Sequence, residues 1–159
     1  MRDLLVRLYD LPPFGPAEAA LAGRGITLRR PLPWEKHLLL DWVEAEFGRS
    51  WRSECEVAFA RQPVSCFAAA VGGRVLGFAC YEVTARGFFG PMGVATAERG
   101  SGVGEALLLA SLHAMREHGY VYAIIGGGDG AREFYERTVG ATVIEGSERG
   151  VYRVEPLGR

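Results

Sequence analysis

Apolar residues in this chain alternate in short runs and recur at helical spacing in longer ones, with glycine or proline at most changes between the two. Leu4, Val6 and Leu8 alternate with Leu5, Arg7 and Tyr9, which predicts a short strand ending at Pro12-Pro13. Residues 16–22 predict a short helix stopped by Gly23, so residues 1–25 read as an N-terminal extension with an extra strand and helix. Residues 26–159 read as one domain. It opens with a strand over 26–30, and Pro31 and Pro33 punctuate the turn that follows. Leu38, Leu39, Trp42, Val43 and Phe47 then keep helical spacing up to Gly48. A second helix over 50–61 places Trp51, Cys55, Ala58 and Phe59 on one side.

Two β-rich runs, 64–71 and 75–83, flank Gly72-Gly73, a strong hairpin signal. The next strand, 88–94, completes an antiparallel meander. Its Gly90, Pro91 and Gly93 disfavour a regular ladder and predict a bulge. A helix should run from the glycines at 100–104 to about His118 and stop at Gly119. The run 120–125 is almost wholly apolar, as a strand buried on both faces would be. The helical crossover should make it a parallel neighbour of 88–94. A bulge in 88–94 would splay the two strands into a V-shaped cleft. A helix over 131–138 and a closing hairpin of 142–144 with 151–154 finish the order β, α, α, β, β, β, α, β, α, β, β. The fold class is α/β (α+β): a mixed, mostly antiparallel sheet, splayed at the bulged strand, with helices on both faces.

Composition narrows the function. The 159 residues are 48% apolar and 23% charged, with a net charge of −1, as in an ordinary globular domain. No Lys/Arg stripe gives a footprint for nucleic acid. No apolar run approaches the roughly 18–20 residues of a membrane span. Charges at Arg2, Asp3 and Arg7 break any signal-peptide core. Cys55, Cys66 and Cys80 are odd in number and lack C-x-x-C spacing, and His37, His113 and His118 are isolated. That pattern argues against a disulfide framework and against a zinc site, and predicts a metal-free protein of a reduced, cytosolic setting with packing cysteines.

Arg99-Gly100-Ser101-Gly102-Val103-Gly104 carries the chemistry. Glycines leave backbone N–H groups open to an anion, and a helix start adds unpaired donors and a positive dipole end. A favourable charge there is worth roughly 0.3–1 kcal/mol. The P-loop pattern fails because no Lys-Ser or Lys-Thr follows. In the dinucleotide pattern, Glu105 stands where a third glycine belongs. Gly126-Gly127-Gly128-Asp129-Gly130-Ala131 satisfies that pattern formally, but too little chain follows for a doubly wound sheet. What fits is [QR]-x-x-G-x-[GA] with Arg99, Gly102 and Gly104. This resembles the pyrophosphate-binding motif of the GNAT superfamily of acyl-CoA-dependent N-acyltransferases. Ala131-Arg132-Glu133-Phe134-Tyr135-Glu136-Arg137-Thr138-Val139-Gly140 resembles the A-x-x-F-Y-E-x-x-G signature of the same family. The predicted element order from about Ile26 is similar to the family's as well.

The resemblance implies an N-acetyltransferase that moves an acetyl group from acetyl-CoA to an amine in a ternary complex, with no metal. Residues 99–104 (Arg99, Gly100, Ser101, Gly102, Val103 and Gly104) would hold the pyrophosphate. The backbone of Met92, Gly93 and Val94 would hold pantetheine, and the N–H near Val94 would also serve the oxyanion. Tyr135 would protonate the leaving thiolate, a task suited to a phenol of reference pKa about 10. The other reading of Phe134 and Tyr135 is as packing anchors of their helix. Two departures stand out: Gly126-Gly127-Gly128 where the family commonly has asparagine, and Ala141 where it has phenylalanine. The general base stays open among Glu54, Glu56, Glu82 and a water relay, with Trp51, Tyr81 and Phe88 as candidate acceptor-pocket residues. The acceptor, a small-molecule or peptide amine, stays open, as does a homodimer. The alternative function is a non-catalytic acyl-CoA sensor or scaffold of the same fold.

Overall fold

The hairpin across Gly72-Gly73 is the spine of a single sheet, in a computed structural model that describes residues 1–155 and 157. Its strands are β3 (Cys66–Val71) and β4 (Arg74–Tyr81), numbered after β1 (Leu4–Arg7) and β2 (Thr27–Arg29). Gly72 and Gly73 both take positive φ, +54° and +80°, as a two-residue turn matched to strand twist requires. β5 (Phe88–Val94) pairs antiparallel with β4, and β6 (Tyr122–Ile125) lies parallel to β5. With β7 (Thr142–Val143) the sheet has seven strands, in the order β2-β3-β4-β5-β6-β1-β7. The mostly antiparallel sheet and the parallel crossover are as the sequence predicts.

Among the described residues five α-helices cover it: α1 (Gly15–Ala22), α2 (Lys36–Phe47), α3 (Arg49–Ala58), α4 (Val103–Glu117) and α5 (Arg132–Val139). Two apolar cores separate its faces. α1 and α4 pack into one with Leu76, Ala79 and Tyr81 of β4. α2 and α3 pack into the other with Phe78 and Cys80 of the same strand. Adjacent β4 residues thus serve opposite cores, as the period of two demands. α4 is apolar nearly all round because it is sandwiched: Val103, Leu107, Leu108 and Leu112 are wholly buried between sheet and α1. No helix among the described residues is long and apolar enough to cross a membrane.

Two expectations are corrected. First, the closing hairpin does not form. β1 occupies the place beside β6, in register from Leu4 opposite Ile125 to Arg7 opposite Tyr122, and β7 pairs with β1 instead. Residues 151–154 therefore find no ladder and run exposed, with the Tyr152 hydroxyl donating to the Thr84 carbonyl at 3.3 Å. Second, β6 is not buried on both faces. Ala123 and Ile125 are covered, whereas Tyr122 is half-exposed beside Tyr9. The extra N-terminal strand and helix form as β1 and α1, and the strand lies inside the sheet with Leu4 and Val6 fully buried in the larger core.

The three cysteines pack in the smaller core, and they do so as a cluster. Cys66 and Cys80 face each other across β3 and β4, and Cys55 of α3 lies against both, with the three Sγ atoms within 4.8 Å of one another. Sequence separation hid the cluster because sheet register and helix packing bring it together.

Candidate active site

The cleft begins where β5 leaves β6. The two strands pair only at Phe88 with Ile124 and Phe89 with Ile125, and diverge at Gly90-Pro91. Beyond that point β5 pairs only with β4, where the register shifts between Ala79 and Tyr81. The Ala95 N–H reaches back to the Leu76 carbonyl at 2.8 Å. Residues two apart share that direction, so Gly93 also points at β4, and the N–H and C=O groups of Met92 and Val94 point into the open side. Gly93 itself serves packing: a Cβ there would lie 2.4 Å from Cζ of Phe47.

Residues 99–104 lead from β5 into α4, where a Cβ on Gly104 would meet Val94 of β5 at 3.6 Å. Gly102 caps α4 with φ +88°, a conformation that other L-residues rarely adopt, and Gly100 has φ +76°. The helical ladder starts with the Ala106 N–H on the Gly102 carbonyl at 3.1 Å. The N–H groups of Val103, Gly104 and Glu105 come before it and are free to meet an anion. Val103 sinks its side chain fully into the core and offers only backbone. Arg99 is exposed, and among the described residues no carboxylate pairs with it. Arg24, from the N-terminal extension, donates to the Ser101 carbonyl at 2.7 Å and lies 3.8 Å from Glu98. Arg74 lies 3.4 Å from the same carboxylate. Two arginines thus offset the acid beside the glycines. Sequence reasoning missed Arg24, which is remote in the chain and carries no motif.

Tyr135 of α5 lines a cavity of about 260 Å³ with Met92, Pro91, Phe89 and Trp51. Its ring meets Phe89 edge to face at 6.5 Å and Phe134 at 5.2 Å. Burial pushes its phenol up to about 12, so the group holds its proton throughout the ordinary pH range. Among the described residues its hydroxyl has no hydrogen-bond partner. A second cavity, of about 340 Å³, shares Trp51, Phe89, Gly90, Pro91, Gly126 and Gly127 with the first and adds Glu54 and Phe88. The hollow made of these two adjoining cavities has Tyr135 on the wall of the smaller and Glu54 on the wall of the larger.

The family model described as the acetyltransferase (GNAT) family matches residues 34–141. The chain belongs to that family. No curated protein matches it. Among solved structures it is similar to a GCN5-related glucosamine N-acetyltransferase region of a fungal multi-domain GH3 beta-N-acetylglucosaminidase. That match has TM-score 0.68 and 18% identity over 90% of this chain and 19% of the other. It is similar to a GCN5-related N-acetyltransferase from Sphaerobacter thermophilus, with TM-score 0.64 and 20% identity over 90% of this chain and 48% of that one. It is also similar to an aminoglycoside acetyltransferase from an uncultured soil metagenomic sample, with TM-score 0.58 and 16% identity over 84% and 97% of the two chains. The chain spans about a fifth and about half of the first two. At such identities the likeness is one of fold.

Within this GNAT domain the three candidate bases part company. Glu56 is exposed and paired with Lys36 at 2.7 Å, and that hydrogen bond holds its pKa down. Glu82 is buried, accepts from the Tyr120 hydroxyl and lies 3.8 Å from Arg61. Glu54 alone of the three lines the hollow, and burial raises its pKa. Trp51 and Phe88 line the hollow too, whereas Tyr81 is wholly buried, with its hydroxyl on Arg30 at 2.8 Å. Where the family commonly has asparagine, the Gly127 N–H donates to Asp3 of the N-terminal extension at 2.9 Å. Asp3 was invisible to motif reading because the partner it meets is a backbone group 124 residues away.

Proposed function

We propose that this GNAT domain is an acetyl-CoA-dependent N-acetyltransferase working by direct attack in a ternary complex. One observation carries the reading: a protonated, unpartnered phenol and a carboxylate of raised pKa flank the two halves of one hollow at the splayed strand. Acyl transfer to an amine needs such a pair, one group to release a proton and one to take it. The free N–H groups of Val103, Gly104 and Glu105, with Arg99 beside them, suit a pyrophosphate. The outward backbone of Met92 and Val94 suits an extended arm with amides of its own, which would add to β5 as a strand does.

In this reading the acceptor enters the larger cavity as a neutral amine, with Glu54 taking its proton directly or through one water. The amine nitrogen forms a bond to the acetyl carbon, and the Val94 N–H faces the developing oxyanion. The carbon–sulfur bond then breaks, and the phenolic proton of Tyr135 passes to the leaving sulfur. None of the three cysteines lines either cavity, which favours direct transfer over an acyl-cysteine intermediate.

Calorimetric titration with acetyl-CoA, desulfo-CoA and NADH tests the cofactor. Micromolar binding of acetyl-CoA without NADH is expected, followed by release of free thiol in the presence of an amine acceptor. Failure of every CoA species to bind would overturn the proposal. Binding without thiol release across a broad amine panel would favour the sensor reading instead.

A further inference from the structure

Cys55, Cys66 and Cys80 form a cluster that the acetyl-transfer chemistry does not use. Cys66 and Cys80 are opposed in the β3–β4 register, a rigid base on which Cys55 is set by α3. All three are 0% exposed, and their sulfurs lie within 4.8 Å of one another. Three thiolates around one centre at about 2.3 Å stand no more than roughly 4 Å apart, so a modest rotation of the side chains brings the cluster to ligand spacing. Its walls are apolar: Leu39, Leu40, Val43 and Phe78 belong to the same core.

Ligand number and charge decide what such a site accepts. Among the described residues no fourth cysteine, histidine or carboxylate joins the group. A structural zinc site would therefore be one protein ligand short. Three thiolates would leave a divalent ion with one net negative charge and a monovalent ion with two, and an unpaired charge in an apolar core is strongly penalised. Among the described residues no arginine, lysine or histidine hydrogen-bonds to these sulfurs. Glu56, beside Cys55, is negative and paired outward with Lys36. Arg30 stacks on Phe67 and Tyr81, which face the opposite core. A trivalent thiophilic centre meets both conditions, since three thiolates saturate and neutralise it.

We propose that Cys55, Cys66 and Cys80 form a binding site for a trivalent thiophilic metalloid, arsenic(III) or antimony(III), supplied as its neutral oxyacid. Binding breaks three S–H and three metalloid–oxygen bonds, and it forms three metalloid–sulfur bonds and three water molecules. Nothing is oxidised or reduced, and no net charge enters the core. Because α3 covers the cluster, uptake should be slow and should require that helix to lift.

The test uses the full chain, reduced and then freed of reductant under argon, with sodium arsenite as the probe. Native mass spectrometry should show one arsenic per chain with the loss of three hydrogens. A thiol count after denaturation in acid should fall by three, and Tm should rise because the folded arrangement binds best. Cys55→Ala, which keeps the sheet pair intact and adds no unpaired hydroxyl to the apolar core, should stay folded and retain no arsenic at a concentration that saturates the parent. Consumption of only two thiols would overturn the site, as would a lowered Tm, which marks preferential binding to the unfolded chain. Preferential uptake of zinc from an equimolar mixture with arsenite would overturn the charge argument and with it the proposal.

Discussion

The ring of Phe47 occupies the space that a side chain on Gly93 would need, with Cζ 2.4 Å from the position of a Cβ. Phe47 in turn stacks on Trp51 at 5.0 Å and tilts against Phe78 at 5.9 Å, so it has little room to retreat. Gly93→Ala should therefore overpack the core of α2 and α3 and destabilise the fold by about 1–3 kcal/mol. Urea denaturation should show the loss, and Phe47→Leu in the same chain should recover part of it. Acetyl-CoA affinity of the folded fraction should stay near the parent value, because the backbone of Gly93 points at β4. A large affinity loss with unchanged stability would return Gly93 to the binding surface.

Tyr135→Phe removes only a hydroxyl that no described residue engages. Stability should change little, and acetyl-CoA should bind as before. The loss should appear in kcat, by roughly 10²–10⁴-fold if the phenol is the acid. Since burial lifts its pKa to about 12, the parent should show no alkaline limb of kcat below about that pH. A Tyr135→Phe chain with parental kcat would leave Tyr135 a packing residue beside Phe89.

With Glu54 as the proposed base, the acid limb should follow its carboxylate. Burial raises its folded pKa, so activity that depends on the carboxylate falls as pH drops through that raised value. Glu54→Gln should lower kcat/KM by roughly 10²–10⁴-fold and flatten the acid limb, whereas Glu56→Gln should leave the profile intact. The stability sign runs the other way. A raised folded pKa gives stability that is present below the unfolded value and lost as pH rises through the folded one. The Glu54→Gln chain should then melt no lower than the parent at neutral pH, and a marked drop in its Tm would point to a structural role instead.

Much of this was legible in the sequence, for local reasons. The Gly72-Gly73 turn, the meander and the glycine corner follow from short-range conformational rules, and the splay at Gly90-Pro91 follows from residues that cannot continue a ladder. What was not legible depends on which strand reaches β6 first. β1 takes that place, and the closing hairpin is lost with it. Asp3 on Gly127, Arg24 on Ser101 and the three cysteines are likewise pairings made by sheet order and helix docking, which no local pattern encodes. The choice among Glu54, Glu56 and Glu82 needed burial and partners rather than position along the chain.

Arg24 ties the N-terminal extension to the glycine corner, donating to the Ser101 carbonyl at 2.7 Å. It is exposed, so its loss should cost little stability. Arg24→Ala should still loosen the loop that presents the free N–H groups. A lost hydrogen bond to a charged group is worth about 1.5–3 kcal/mol at most, and less at the surface, so acetyl-CoA affinity should fall severalfold rather than vanish. Calorimetry at two salt concentrations checks this: a positioning role leaves the salt dependence of binding unchanged, whereas direct contact with phosphate by Arg24 would reduce it.

Gly104 offers the sharpest test of the cradle. A Cβ there would meet Val94 Cγ2 at 3.6 Å and Phe134 Cζ at 3.8 Å, ordinary contact distances, so the folded chain has room for a Cβ. Valine is also the better helix former of the two by a few tenths of a kcal/mol. Gly104→Val should therefore melt within a few degrees of the parent. Its methyl groups, however, stand between Val94 of β5 and Phe134 of α5, on the first turn whose N–H groups face the cleft. Close approach of an anion to those donors should be blocked, and acetyl-CoA binding should weaken by tenfold or more, about 1.4 kcal/mol. Unchanged affinity in a folded Gly104→Val chain would remove the pyrophosphate from this corner, leaving the glycines as a tight entry into α4 and nothing more.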